Sequence, residues 1–116
     1  MTASPAAVAH LFASLVDRRD WVRLETLLAE DCVVTFVHDG RVFTGPEWVA
    51  FNADYPGRWS FVAEDIVATD HRAVVRARVF NDEALFHVAS FLTVRDGLIH
   101  QIDEVWADGH AAPQED

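Results

Sequence analysis

The stretch FHVASFLTVRDGLIHQIDEVW, residues 86–106, decides the fold of this chain. Two apolar runs flank the Asp96-Gly97 pair, and an Asp-Gly pair between strand-like runs predicts a β-hairpin with a two-residue turn. Side chains alternate between the two faces of a strand, so the turn also fixes which residues share a face. The stretch therefore predicts a long antiparallel hairpin with one defined register.

One face of this hairpin carries an acid and an imidazole. With Arg95 opposite Leu98, an unbroken register places on that face His87, Phe91, Ile102, Glu104 and Trp106. Glu104 would lie diagonally from His87, at roughly 7–8 Å between backbones, within reach directly or through one water. This arrangement predicts a site for acid/base chemistry. It fits equally a buried structural pair, or a face that is open to solvent.

The opposite face of the hairpin is apolar. In the same register it carries Phe86, Val88, Leu92, Val94, Ile99 and Val105. An apolar patch of that kind is unusual on a monomer, so we expect a second copy of the chain to cover it.

Composition limits the partners. The 116 residues, 51% hydrophobic and 24% charged, fit a single domain, 1–116, with a core at about 4–107 and a flexible tail at 108–116. The net charge of −10 disfavours nucleic acid and anionic membranes. No apolar run approaches the ~20 residues of a membrane span, and no secretory signal is evident, so we expect a cytoplasmic protein. The lone cysteine and the scattered histidines predict neither a disulfide framework nor a metal site, and without a Gly-rich phosphate loop we expect no cofactor.

Helical signals occupy the first half of the chain. Ser4 and Asp20 are candidate N-caps, each followed by apolar residues at helical spacing. Thr44 and Glu47 have the spacing of a capping box, which predicts a third helix over 48–54.

Strand signals fill the rest. We expect two short strands over 32–37 and 41–43, then four long strands over 59–69, 73–80, 85–95 and 98–107. Short polar turns join the long strands, which predicts an antiparallel meander. Three helices followed by a curved sheet predict an α+β fold in which the helices cover one sheet face.

The whole pattern resembles a known family. The stretches LFASLVDRRDWVRLETLLAEDCVV (11–34), TGPEWVAFNADYPGRW (44–59) and SFLTVRDGLIHQIDEVW (90–106) are similar to the nuclear transport factor 2-like superfamily. Within it, the chain most resembles small bacterial SnoaL-like, polyketide-cyclase-like proteins. The resemblance implies a cone-shaped, curved antiparallel half-barrel whose concave face and helices enclose an apolar pocket, and a homodimer.

Site residues carry over only where positions match. The tyrosine and aspartate of the superfamily's steroid isomerases match Phe12 and Phe36, which cannot perform that chemistry and would line the pocket. The polyketide-cyclase carboxylate, seven residues after the turn glycine, matches Glu104. The arginine of the limonene-epoxide-hydrolase pattern has only Arg76 or Arg78 as a counterpart, without an aspartate at the required spacing.

Further candidates for substrate contact are Asn52, Tyr55, Trp59, Phe91 and Trp106. The first three surround the end of the third helix, where they either rim the pocket or form an ordinary packed corner. The last two share the predicted face of Glu104. Whether Arg76 and Arg78 face the pocket or the solvent depends on the length of the loop after Phe80, and stays open.

The sequence therefore predicts a SnoaL-like protein that binds a small apolar or polycyclic molecule. As an enzyme, it would be a cofactor-free isomerase, cyclase, dehydratase or epoxide hydrolase that uses Glu104 as acid or base. His87 is either the partner of Glu104 or a neutral core histidine. The alternative is a non-catalytic ligand-binding or dimerisation module.

Overall fold

A computed structural model describes residues 2–109 and shows three helices packed on one face of a six-stranded sheet. The helices are α1 (Pro5–Arg18), α2 (Trp21–Thr26) and α3 (Gly45–Asp54). The strands are β1 (Leu28–Phe36), β2 (Val42–Thr44), β3 (Ser60–Ala68), β4 (Arg72–Phe80), β5 (Leu85–Arg95) and β6 (Leu98–Asp108). None of these helices is long and apolar enough to cross a membrane.

The sheet is open, with strand order β2-β1-β6-β5-β4-β3. The meander from β3 to β6 is antiparallel, as predicted, whereas β1 joins β6 in parallel. The sheet is therefore mixed, and the predicted α+β class with three helices on one face is confirmed.

The capping residues predicted from the sequence start all three helices. The Ser4 hydroxyl accepts the Ala7 N–H at 3.1 Å, and a carboxylate oxygen of Asp20 accepts the Arg23 N–H at 3.2 Å. Thr44 and Glu47 form both bonds of the capping box. That box starts α3 at Gly45, three residues before the predicted start.

Most strand boundaries lie within one residue of the prediction, and two of the differences have consequences. β1 starts at Leu28 instead of residue 32, since the chain leaves α2 directly into the sheet. β6 continues to Asp108, so the predicted tail over 108–116 begins inside a strand. Residues 110–116 lie outside the described part of the chain.

The hairpin turn forms as predicted, but the register beyond it does not. Asp96 and Gly97 both have positive φ, 57° and 75°, as a two-residue type I′ turn requires. A bulge at His100 then shifts the pairing, so Thr93 lies opposite Gln101. A shift of one residue changes which side chains of the two strands lie on the same face. Glu104 consequently pairs with Ser90.

The slip overturns the predicted dimer patch. Val88, Leu92, Val94 and Ile99 lie in the core, each at most 4% exposed, because the helices cover this face. Phe86 turns toward the same inner side. Of the predicted patch only Val105 lies on the outer face, which we define as the sheet face turned away from the helices.

Candidate active site

A cavity of about 370 Å³ opens between the helices and the inner face of the sheet. Its wall is mainly aromatic, and its ionisable lining residues come from both layers. These residues are Arg19, His38, Arg41, Tyr55, Glu104 and Asp108. A cavity of this size, apolar with a few polar groups, is typical of small-molecule sites.

Glu104 lies in the wall of this cavity and is only 3% exposed. Its Oε2 accepts a hydrogen bond from the Ser90 hydroxyl at 2.6 Å. Its Oε1 accepts the indole N–H of Trp106 at 3.1 Å and that of Trp48 at 3.4 Å. Neighbouring strands and α3 thus converge on one carboxyl group, and all three partners donate to it.

Burial raises the pKa of Glu104, because the charged carboxylate loses solvation. Four groups lower this pKa without reversing the effect of burial. They are the hydrogen bonds from Ser90, Trp106 and Trp48 and the charge of His38. No arginine or histidine of the described chain forms an ion pair with Glu104. A carboxyl group in this setting holds a proton closer to neutral pH than a free side chain does.

Sequence reasoning missed His38 as the histidine of this site. Its Nδ1 accepts the backbone N–H of Trp106 at 3.4 Å, and its Nε2 lies 3.6 Å from Oδ2 of Asp39. The first contact requires an unprotonated Nδ1, so Nε2 carries the hydrogen in the neutral ring. Strand alternation from Phe36 could have placed His38 on the inner side.

The predicted partner of Glu104, His87, lies on the outer face, where it pairs with Ala107 and is exposed. Phe91 lies on the same face, opposite Asp103. The prediction that both share the face of Glu104 was wrong, because the bulge at His100 reverses the relation between the two strands.

Asn52, Tyr55 and Trp59 all line the cavity near the end of α3. The Asn52 amide donates to the Trp48 carbonyl at 2.8 Å. The Trp59 indole donates to the Pro56 carbonyl at 2.9 Å. Bonds to the backbone therefore hold two of these three side chains in place.

Phe12 and Phe36 line the inner part of the cavity and are 1% and 3% exposed. Phe12 stacks on Trp48, with ring centroids 6.0 Å apart and an interplanar angle of 8°. This stacking holds the Trp48 indole in the plane from which it reaches Glu104. Neither phenylalanine offers a polar group to a ligand.

Arg76 and Arg78, whose face the sequence left open, lie outside the cavity. Arg78 pairs with His87 across the sheet, and both guanidinium groups bind Glu64 at 3.0 Å. Within residues 2–109, no group of three or more His, Cys, Asp or Glu side chains could hold a metal ion.

The family model of the SnoaL-like domain matches residues 8–111. The chain belongs to this family. The resemblance of its sequence stretches to SnoaL-like proteins is thereby confirmed. None of the curated proteins matches this SnoaL-like chain at a significant level.

Solved structures share the fold of this SnoaL-like protein. A ketosteroid isomerase candidate from Kribbella flavida is 24% identical over 99% of this chain and 87% of its own, with a TM-score of 0.86. An epoxide hydrolase of the LEH-like type from M. tuberculosis is 17% identical over 89% and 82%, with a TM-score of 0.72. A SnoaL-like polyketide cyclase candidate from Shewanella putrefaciens is 12% identical over 85% and 86%, with a TM-score of 0.71. At these identities the likeness concerns the fold alone.

Proposed function

We propose that this SnoaL-like protein binds a small organic molecule in its cavity and transforms it, without a cofactor, through acid/base chemistry at Glu104. The observation that carries the proposal is a cavity-lining carboxyl group, 3% exposed, with three hydrogen-bond donors and no ion-pair partner among residues 2–109. Reactions of this kind are isomerisation, cyclisation, dehydration and epoxide opening.

The hydrogen bonds of Glu104 suit a group that both gives and takes a proton. Indole N–H groups only donate, so Oε1 is an acceptor in either protonation state and the proton of the acid belongs on Oε2. When Glu104 gives up that proton, the two indole donors stay in place and the Ser90 hydroxyl turns to donate, so all three stabilise the new charge. When it takes the proton back, the cost of burying a charge disappears.

His38 is the second ionisable group that we assign to this chemistry, in place of His87. It lines the same cavity, and the Trp106 backbone N–H orients its ring. With its hydrogen on Nε2, the imidazole can donate to an oxygen of the bound molecule. Glu104 and His38 would then serve opposite ends of one proton transfer.

The test is Glu104→Gln, assayed on a substrate found by thermal-shift screening of metabolites. The amide keeps the shape of the acid but transfers no proton, so turnover should fall by about 10²-fold or more. Glu25→Gln, an exposed change in α2, is the control and should keep full turnover. Full activity of Glu104→Gln would remove Glu104 from the mechanism.

The alternative, a non-catalytic ligand-binding module, also has an observation in its favour. Both oxygens of Glu104 already have protein partners, as in a carboxylate whose role is to hold the layers together. In that case a ligand stabilises the parent and Glu104→Gln alike, and no conversion of it is detected.

We infer further that the outer face forms a homodimer contact. It exposes Val33, Val62, Val67 and Val105 by between 38% and 58%. Phe91, half-buried, lies among them on the same face. Apolar side chains spread over one sheet face are characteristic of a surface that another subunit covers.

A further inference from the structure

Six aromatic side chains that line the cavity form a closed cycle of neighbouring rings. Each stands next to the following one, and the last returns to the first: Phe36, Phe51, Tyr55, Trp59, Phe86 and Trp106. Their successive centroids lie 5.5 to 6.5 Å apart, and all six line the cavity. We call this ring the aromatic collar.

The faces of aromatic rings attract cations, since the π electrons make them electron-rich. Two members of the collar already show this property. The guanidinium carbon of Arg41 lies 5.0 Å from the Phe36 centroid and 5.3 Å from the Phe51 centroid. Asp39 binds this guanidinium at 2.8 Å and so balances its charge outside the cavity wall.

When ionised, Glu104 supplies a negative charge beside the collar, and no side chain of the described chain forms an ion pair with it. Trp106 belongs to the collar and also donates to Glu104, so the carboxyl group adjoins the ring directly. Asp108 lines the same cavity. Three basic groups line the cavity as well. Arg41 is paired with Asp39, the Arg19 guanidinium lies 5.6 Å from the Trp21 ring, and His38, charged only when protonated, also lies beside Asp39.

We propose that the cavity selects an organic cation, with an ammonium group inside the aromatic collar and paired with Glu104. This assignment rests on the proposed small-molecule function and names its ligand class. Desolvated rings and an unpaired carboxylate each favour a positive charge over a neutral group of the same shape. The net charge of −10 steers cations toward the protein before they reach the cavity.

Two probes that match in shape and differ in charge test the proposal. They are (4-hydroxymethylphenyl)trimethylammonium and its neutral isostere 4-tert-butylbenzyl alcohol, each titrated calorimetrically into the protein at pH 8 and at physiological salt. The salt screens the general attraction of an acidic protein for cations beyond about 8 Å. We expect the cation to bind at least about 10-fold more tightly than the isostere.

Variants separate the site from the overall charge. Glu104→Gln and Asp65→Asn each remove one negative charge, but Asp65 lies exposed on the outer face. The cation preference should fall to about 3-fold or less in Glu104→Gln and stay unchanged in Asp65→Asn. Tyr55→Leu, which keeps bulk but removes a ring, should lower the preference by about 2- to 3-fold, whereas Phe91→Leu on the outer face should not.

Equal or tighter binding of the isostere by the parent would overturn the cation assignment while leaving a small-molecule cavity in place. Failure of both probes to bind would overturn it as well. The proposed function is tested separately, by the metabolite screen and by the turnover of Glu104→Gln.

Discussion

At the scale of single residues, the chemistry that we propose for the site depends on the groups of the protein that surround the Glu104 carboxyl group. Desolvation raises its pKa, so the folded state holds the proton to a higher pH than the unfolded chain, where Glu titrates at about 4.3. Between these two pKa values the folded state binds more protons. The free energy of unfolding therefore falls as the pH rises through this window, and the contribution levels off above the folded pKa.

Glu104→Gln should remove this dependence. Its amide oxygen can accept from both indoles and its NH₂ can donate to Ser90, so the bonds survive without a charge. Urea unfolding from pH 4 to 8 should show the variant gaining on the parent as the pH rises, by about 1.4 kcal/mol for each unit of raised pKa. A constant difference across this range would contradict a raised pKa.

Ser90→Ala tests the other side of the carboxyl group. It leaves Oε2 buried without its donor, and we expect a loss of about 1–3 kcal/mol, larger where Glu104 is ionised. In the Glu104→Gln background the loss should be smaller, because no charge is left unsatisfied. Equal losses in both backgrounds would show that Ser90 contributes packing alone.

At the scale of elements, sequence reasoning succeeded where a local chemical signal exists. The caps at Ser4 and Asp20 and the Asp96-Gly97 turn are decided within a few residues, and all appear as predicted. The parallel pairing of β1 with β6 joins residues about seventy positions apart, and no local sequence pattern predicts it.

The bulge at His100 explains why the site was predicted only in part. Ile99 and Ile102 both face the core although three positions separate them, and this break in the period of two was the available signal. Glu104 and Trp106 were still assigned together, since they lie two positions apart beyond the bulge. Residues on β5, above all Ser90, could be placed only once the register was known.

The capping box of α3 has a predictable energetic value. Thr44→Ala removes the bond to the Glu47 N–H, and we expect the free energy of unfolding to fall by about 1 kcal/mol. Thr44→Ser keeps a hydroxyl and is the matched control. Because α3 positions the Trp48 indole that donates to Glu104, fraying at this end of the helix should also weaken that hydrogen bond. Equal urea midpoints for the two variants would mean that the cap contributes nothing.

At the scale of the whole molecule, the two faces of one sheet divide the tasks that we assign to the protein. The inner face collects the aromatic residues and Glu104 under the helices, whereas the outer face exposes valines and the Glu64 ion pairs. One bulge decides which residues belong to which face. The register predicted without this bulge therefore placed core side chains in the expected dimer contact.

Val105→Asp tests the dimer on the corrected face. Val105 is 40% exposed beside Ala89, so Asp there should place an uncompensated charge inside a contact between subunits without disturbing the fold. Val22→Asp, at a site 81% exposed in α2, adds the same charge elsewhere. We expect sedimentation at tens of micromolar to show dimers for the parent and Val22→Asp, and monomers for Val105→Asp. A monomeric parent would contradict the proposed dimer contact on the outer face. It would leave the fold and the cavity unaffected, because one chain forms both alone.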